Sequence, residues 1–452
     1  MKMNKKIALA IALIISVAPS ALAQSFQEGF MLKDYRQVYR FNPALAGEQD
    51  FLSLFNVSTS QRNNVGASAF IYPYEGQVVT FLHSSVPVET VRNNVQKDNY
   101  LTKNIDFNLV SYGMYRNGAT HTFEINIRGN SAVSVPGALC MLAKAGTGAT
   151  TFDFSSLRAQ GEVYAELAYG YTRKLSDVVS IGGRVKLLAG FYALDFNVTR
   201  FDLSTGASKY QADIEAELAM TDTSLEFGVG DDYLVNFKDL TFKGLTNFPK
   251  SYGAAVDLGI AVTPIENLTI SASVVDLGGI FWHCGNSAKS SGTVSFAGLK
   301  DLTVDNFNKD GLMAQVNILK DEFLSQMSPV SEEKKTRFRA IPFSSNLGVK
   351  YAMPFYDRLS AGITGQYLSY QSIPYMEGRF ALACNPVDWF DCTANIGTGT
   401  FGMVWGAAAN ICFHRFILNM AYENGFGGNI PGKGTPLQAN YKSFSFGLTY
   451  SL

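Results

Sequence analysis

Residues 443–452 alternate strictly between small polar and apolar side chains. The apolar positions are Phe444, Phe446, Leu448, Tyr450 and Leu452, and serine, glycine or threonine stands between them. Because successive side chains of a β-strand point to opposite faces, this pattern predicts a strand with one apolar and one polar face. A closing strand of this kind is typical of membrane β-barrels, in which no open sheet edge can face lipid.

The same two-residue period recurs along the chain in pairs of segments that predict β-hairpins. Residues 105–109 and 122–128 alternate in this way on either side of Asn117-Gly118, a dipeptide that favours a two-residue hairpin turn. Three further short turns are predicted at residues 174–177, 264–267 and 354–357.

Long connections separate these hairpins, at residues 131–160, 200–250 and 283–343. Short turns on one side and long loops on the other are typical of outer-membrane barrels. We therefore predict an all-β fold, a transmembrane antiparallel β-barrel of about 14 strands with short periplasmic turns and long extracellular loops, over residues 51–452. Residues 51–83 predict either one strand or three. The spacing of apolar residues over 312–327 predicts an amphipathic helix in the third loop.

The start of the chain indicates the compartment. Lys2, Lys5 and Lys6 precede an apolar run over residues 7–17, and small residues follow at 21–23. This layout predicts a signal peptide over residues 1–23 that is removed on export to the outer membrane of a Gram-negative cell. An uncleaved anchor is the alternative, although the apolar run is too short to span a bilayer as a helix. Residues 24–50 are then an N-terminal periplasmic or lumen segment.

Composition and charge agree with a barrel and exclude one class of partner. Charged residues make up 17% of the chain and aromatic residues 13%, which suits strands with a lipid-facing side. Large soluble β-sandwiches have similar compositions, so the hairpins carry the prediction. Loss of the three lysines changes the formal charge from −1 to −4, which argues against a nucleic-acid partner.

Several predicted strands carry charged residues at the alternate positions that form their polar face. The candidates for the lumen-facing side are Glu124, Arg128, Glu166, Arg184 and Lys186. Their mixed signs could orient a polar substrate or anchor a plug through salt bridges. The alternative is that they fill a solvated interior, which is common in such barrels. Asp257 and Asp276 stand beside glycines, and for them we expect a structural role at the barrel rim.

No catalytic or metal-binding pattern is present in the sequence. His83, His121, His283 and His414 are the only histidines, and none stands in a metal-ligand spacing. We therefore predict that the protein is not an enzyme and takes no metal or cofactor. A serine hydrolase built from residues distant in sequence stays an alternative.

The five cysteines leave disulfide pairing open. Cys384 and Cys392 flank a short predicted turn and are the candidate disulfide pair, because the periplasm is oxidising. Cys140 and Cys284 form a second candidate pair. Unpaired thiols are the alternative for all of them, since spacing in an odd set of cysteines proves little.

Four segments carry motifs that point to a family. They are Phe41-Asn42-Pro43-Ala44, Gly183-Arg184-Val185-Lys186-Leu187-Leu188-Ala189-Gly190, Asp257-Leu258-Gly259 and Ser273-Val274-Val275-Asp276-Leu277-Gly278-Gly279-Ile280-Phe281-Trp282. Together they resemble a Bacteroidota outer-membrane barrel family of unknown function. That family is distantly similar to the long-chain fatty-acid transporter (FadL-like) barrels and to the PorV-type barrels of type IX secretion. The resemblance implies an N-terminal segment near or inside the lumen, carrying the Asn42, Pro43 and Ala44 motif.

The resemblance implies two functions. The first is passive uptake of a small hydrophobic or amphipathic molecule. The alternative is a structural or type IX secretion-accessory barrel that binds partner proteins through its long loops. In either case we expect contact with outer-membrane lipid and, during biogenesis, with the barrel-assembly machinery.

Overall fold

The first and last strands of the barrel pair with each other and close the sheet. Phe51 lies opposite Ser451, and Asn63 lies opposite Asn440. A closed sheet has no unpaired edge, which is the condition for a β-structure surrounded by lipid. The predicted fold class is confirmed: the protein is an all-β antiparallel barrel of 14 strands.

The computed structural model describes most of the chain. It covers residues 27–146, 150–205, 210–221, 225–229, 235–242, 250–296, 330–332, 335–370, 373–426 and 440–452. The predicted signal peptide and the predicted loop helix at 312–327 lie outside these residues.

The barrel strands follow one another in chain order around the cylinder, and each pairs with its neighbours in sequence. They are β1 Phe51–Asn63, β2 Asp98–Arg116, β3 Ala119–Pro136, β4 Arg158–Lys174, β5 Val179–Thr205, β6 Ser251–Ile265, β7 Leu268–Cys284, β8 Lys335–Ala340 continuing as Phe343–Ala352, β9 Leu359–Tyr370, β10 Ile373–Val387, β11 Phe390–Gly399, β12 Gly402–Phe413, β13 Phe416–Gly425 and β14 Asn440–Ser451.

Short helices and additional strands complete the described structure. The helices are α1 Gln27–Met31, α2 Val88–Asn94 and α3 Gly137–Ala145, with 3-10 turns at Val38–Arg40, Pro43–Leu45 and Ala67–Ala69. The additional strands are Ile71–Tyr74, Gln77–Thr80, Thr150–Asp153, Tyr210–Met220, Leu225–Val229, Val235–Phe242, Asn286–Phe296 and Val330–Glu332. In the part of the chain that the structure describes, no helix is long and apolar enough to cross a membrane.

The two ends of the barrel differ. The end that carries Asn117-Gly118, here called the turn end, has a short connection at every hairpin from β2–β3 to β12–β13. At the opposite loop end, β9–β10 and β11–β12 are also joined by short connections. Residues 51–83 contribute one barrel strand, because the hairpin of Ile71–Tyr74 and Gln77–Thr80 pairs only with itself.

Successive residues of each strand face opposite sides of the barrel wall, and the outer side is apolar whereas the inner side is polar. On β3, Ile125 is 42% exposed whereas the adjacent Glu124 is 1% exposed, and on β5 Leu187 is 66% exposed whereas Lys186 is 1% exposed. Large apolar side chains exposed all around the cylinder would be costly in water, and they suit a surface that is solvated by lipid. The charged side chains are thereby directed into the lumen.

The register of β14 predicts a large difference between substitutions at adjacent positions. Phe446 lies opposite Val57 and points outward, whereas the next residue towards the loop end, Ser445, lies opposite Ser58. An arginine on the lipid face costs about 2–4 kcal/mol at mid-membrane, and much less on the lumen face. We expect Phe446→Arg to reduce the heat-modifiable, assembled barrel on gels far more than Ser445→Arg. Equal assembly of the two variants would contradict this register.

Candidate functional site

Residues 27–50, here called the plug, lie mainly inside the barrel, with residues 33 and 47–49 exposed. Tyr39 and Phe41 are each 1% exposed and Asn42 is fully buried, although the segment contains only one short helix and two 3-10 turns. A segment with so little internal hydrogen bonding has to satisfy its backbone groups elsewhere. In this protein the barrel wall supplies many of those partners.

The Asn-Pro-Ala motif fixes the plug against β6 and β7. Asn42 caps the 3-10 turn Pro43–Leu45, and its Oδ1 accepts a hydrogen bond from the Ala44 N–H at 2.9 Å. The Asn42 amide nitrogen donates to the carbonyls of Ile260 and Ala272, at 3.0 and 3.1 Å. One asparagine therefore holds the turn together and attaches it to two neighbouring strands.

Two glycines in the wall make room for this motif, and we call Gly182 and Gly259 the glycine notch. A Cβ atom at Gly182 would lie 2.3 Å from the Pro43 carbonyl carbon, and one at Gly259 would lie 2.0 Å from Asn42 Oδ1. The Pro43 backbone and the Asn42 side chain thus approach the wall so closely that only glycine fits at positions 182 and 259. The Thr172 hydroxyl completes the contact by donating to the Pro43 carbonyl.

Strands β8 and β11 bind the start of the plug through its backbone. The Asp391 carboxylate accepts hydrogen bonds from the N–H groups of Lys33 and Asp34, at 2.8 and 3.0 Å. The Lys350 ammonium group donates to the Met31 carbonyl at 2.7 Å. These contacts depend on main-chain atoms, so they fix the path of the plug irrespective of most of its side chains.

Arg40 and Tyr39 connect the plug to the charged wall. The Arg40 guanidinium binds both oxygens of the Asp106 carboxylate, at 2.9 and 2.8 Å, and the Tyr39 hydroxyl donates to Glu124 at 2.7 Å. Burial, and then the charge of Glu124, raise the pKa of Tyr39 well above its ordinary value. Burial lowers the pKa of Arg40, but Asp106 and Glu124 outweigh it and raise the net value. Both groups therefore keep their protons while the plug is in place.

Wall and plug charges form one continuous network of ion pairs, here called the ion-pair network. Arg128 contacts Asp106 at 3.1 Å, Glu166 at 3.2 Å and Asp276 at 2.7 Å, and so joins three strands. The members are Arg40, Asp106, Glu124, Arg128, Glu166, Arg184, Lys186, Asp257 and Asp276. Removing one partner of a buried pair costs about 3–5 kcal/mol, because the other charge is left without compensation.

A β-bulge on β7 brings Asp276 into this network. The register shifts between β6 and β7 at this point, and Asp276 adopts the left-handed conformation with φ of 67°. Its N–H donates to the Asp257 carboxylate at 2.7 Å, and its own carboxylate reaches Arg128 and Lys186. The expectation of a role for these aspartates at the barrel rim was wrong. Both belong to the interior network, because the bulge turns an additional side chain inward.

The structure places every predicted lumen residue in this network. Glu124, Arg128, Glu166, Arg184 and Lys186 are all buried in the lumen and ion-paired. Glu124 contacts the plug directly, through Tyr39 and Arg40, as expected of a residue that anchors a plug. The others act on the plug through their shared partners.

Sequence reasoning missed Asp106 and Arg40. The position of Asp106 could have been predicted from the sequence. It stands between the apolar Ile105 and Phe107, so its side chain points to the lumen side of β2. Arg40 had no such signal, since the plug has no strand period and the ion-pair partners of Arg40 are distant in sequence.

The candidate disulfide pair lies at facing positions of two strands. Cys384 and Cys392 are directly opposite each other on β10 and β11, without a bond between their sulfur atoms in the structure. Facing positions can satisfy the separation that a disulfide needs, so this pair stays a prediction. Cys140 and Cys284 pack in different apolar clusters, which argues against the second candidate pair.

Two cavities lie on opposite sides of the plug. The loop-end cavity has a volume of about 80 Å³ and contacts Arg40 and Phe41 of the plug. The turn-end cavity has a volume of about 220 Å³ and contacts Ala44 and Glu48 of the plug. The plug therefore stands between the two ends of the lumen.

A model of a family of unknown function, DUF5723, matches residues 43–421. The match begins at Pro43 of the plug and ends within β13, so it includes most of the barrel together with the Pro-Ala part of the motif. No curated protein matches the chain in sequence.

Several solved β-barrel structures are similar to this chain, with low TM-scores. The Pseudomonas putida toluene transporter TodX is 8% identical over 96% of this chain and 98% of its own, with a TM-score of 0.41. A Pseudomonas aeruginosa FadL homologue is 12% identical over 91% and 92%, with a TM-score of 0.41. The translocator domain of the autotransporter NalP from Neisseria meningitidis is 9% identical over 92% and 95%, with a TM-score of 0.33. Scores this low do not assign a function, which has to come from the geometry of the site.

The glycine notch predicts that one added methyl group loosens the plug. In Gly182→Ala the new Cβ would overlap the Pro43 carbonyl, and overpacking of this kind costs about 1–3 kcal/mol. The control is Gly365→Ala, because a Cβ at Gly365 meets nothing within 4 Å. We expect trypsin to cut after Lys33, Arg36 or Arg40 about tenfold faster in Gly182→Ala, while the barrel stays heat-modifiable. Equal cleavage rates in both variants would show that the close approach does not hold the plug.

Proposed function

The chain belongs to the family of unknown function DUF5723, and we propose that it is an outer-membrane channel with a movable plug, for passive uptake of a small hydrophobic or amphipathic molecule. The observation that carries the proposal is the position of the plug between the loop-end and turn-end cavities. A molecule that passes along the lumen has to displace or rearrange this segment.

The kind of contact that holds the plug supports a movable segment. Much of its attachment is polar: Asp391 and Lys350 bind its main chain, Asn42 binds strand carbonyls, and Arg40 binds Asp106. Water can replace such partners when the plug moves, so a typical hydrogen bond contributes only about 0.5–1.5 kcal/mol net. The buried ion pair costs more to separate, and it favours the closed state.

The lining of the loop-end cavity supports an amphipathic molecule. The apolar side chains of Phe41 and Leu368 face the same space as the polar side chains of Asn104 and Gln366. A ligand with both kinds of surface can satisfy this lining, whereas a wholly apolar ligand would leave buried polar groups without partners.

A disulfide between plug and wall should slow uptake. The Ser180 hydroxyl donates to the Ala44 carbonyl at 2.8 Å, so the two positions are adjacent. We propose the double substitution Ala44→Cys and Ser180→Cys in a chain whose five native cysteines are replaced. Uptake of a panel containing octanoate, phenol and arabinose is then measured in intact cells, before and after reduction. We expect the oxidised form to take up octanoate several-fold more slowly than the reduced form.

Each single-cysteine variant serves as a control, because it carries the substitution without the bond. Equal uptake in oxidised and reduced cells would contradict a movable plug. The alternative of a secretion-accessory barrel predicts that outcome, together with stable co-purification of a secreted protein.

A further inference from the structure

Arg62 is a buried cation at the loop-end cavity. It lies one residue before the end of β1, is 5% exposed, and lines the cavity together with Ser60 and Asn104. We propose that Arg62 is the cationic ligand of an oxyanion-binding site in this cavity, which takes a carboxylate or phosphate group. The proposal concerns binding at equilibrium and does not depend on movement of the plug.

Two aromatic rings fix the orientation of Arg62. Its guanidinium carbon lies 4.7 Å from the centre of the Tyr375 ring and 4.6 Å from that of Tyr441. Two ring contacts restrict the orientation of the guanidinium and leave N–H donors at its edge for a ligand. A planar guanidinium presented edge-on matches the two oxygens of a carboxylate or phosphate.

The hydrogen-bonding capacity of Arg62 is largely unused. Its Nη1 donates to the Ser60 hydroxyl at 2.8 Å, but its Nε is buried without a partner. No carboxylate among the described residues lies within ion-pair distance of it. The charge of Arg62 acts on the Glu377 carboxylate only from beyond ion-pair distance, so a bound anion would supply the direct contact that Arg62 lacks.

The neighbouring arginines are different. Arg379, which also contacts the Tyr441 ring, forms ion pairs with Glu377 and Glu423. Arg40 and Arg128, which also line the cavity, are neutralised within the ion-pair network. Among the described arginines that line this cavity, Arg62 is thus the one without a direct ion pair.

The size of the cavity limits the ligand. About 80 Å³ holds several water-sized groups. Such a space accepts acetate or phosphate, or the head group of a longer molecule whose tail lies elsewhere. Asn104, Asn130 and Gln366 line the same space. Each of their amide nitrogens donates one hydrogen bond inside the lumen and has a second N–H that can serve the remaining oxygens of a ligand.

Direct binding tests the proposal. The purified full-length barrel in a non-ionic detergent is titrated separately with phosphate, acetate and octanoate by isothermal titration calorimetry. We expect saturable binding at one site per chain, weakened by about tenfold to a hundredfold in Arg62→Met, because a charge-assisted interaction is lost. Arg62→Lys should bind with intermediate affinity, since it keeps the charge but loses the planar donors. Arg92→Met removes an exposed arginine of α2 and should leave the affinity unchanged.

The three probes distinguish the source of the anion. Tighter binding of phosphate or acetate indicates a free small ion, and tighter binding of octanoate indicates the head group of an amphipathic molecule. Absence of saturable binding for all three probes, or equal affinity in wild type and Arg62→Met, would overturn the proposal.

A location experiment keeps the test decisive if Arg62→Met does not assemble. Crystals of the wild-type protein grown with arsenate, which has the charge and shape of phosphate, should show an anomalous arsenic peak beside Arg62. A peak only elsewhere, or no peak at a concentration that saturates phosphate binding, would overturn the proposal. Because none of these measurements involves transport, the site can be established even if the locked plug takes up solute normally.

Discussion

A charge buried inside a closed barrel needs a partner, and this constraint determines the arrangement of the lumen. Arg40 enters the interior with the plug, where Asp106 and Glu124 neutralise it. Those carboxylates are in turn shared with Arg128 and Arg184, which Glu166, Asp257 and Asp276 balance. Because each charge depends on the next, the position of the plug and the conformation of the wall are coupled. Displacing Arg40 leaves Asp106 and Glu124 with an altered balance, and the network has to rearrange or take up water.

The sequence predicts the barrel well because the barrel has a period. Phe123, Ile125 and Ile127 alternate with Glu124 and Asn126, and the structure exposes the first set and buries the second. Turn chemistry adds the hairpins, as at Asn117-Gly118. The plug has no such period, and its contacts link residues separated by tens to hundreds of positions. Single contacts such as that between Arg40 and Asp106, and the unpaired state of Arg62, become visible only when the strands have been brought together.

The four motifs that resemble a family lie together in the structure. Asn42 and Pro43 dock onto the notch formed by Gly182 and Gly259, and the adjacent Arg184 and Asp257 form an ion pair at 3.0 Å. The bulge at Asp276 directs a further carboxylate to Lys186. Segments that are far apart in the chain therefore form one surface, and the plug binds to it. That surface explains why glycines and charged residues stand together on these strands, where a simple barrel wall would need neither.

Hydrogen exchange of the plug amides in the native, membrane-embedded barrel tests this account most directly. The N–H groups of Phe41, Asn42, Ala44 and Leu45 are all hydrogen-bonded, and the motif is buried against the wall. We expect them to exchange over minutes to hours, well after the amides of the exposed helix α2. Exchange of these amides within seconds, at the rate of an unstructured peptide, would contradict a plug held in the lumen by the wall.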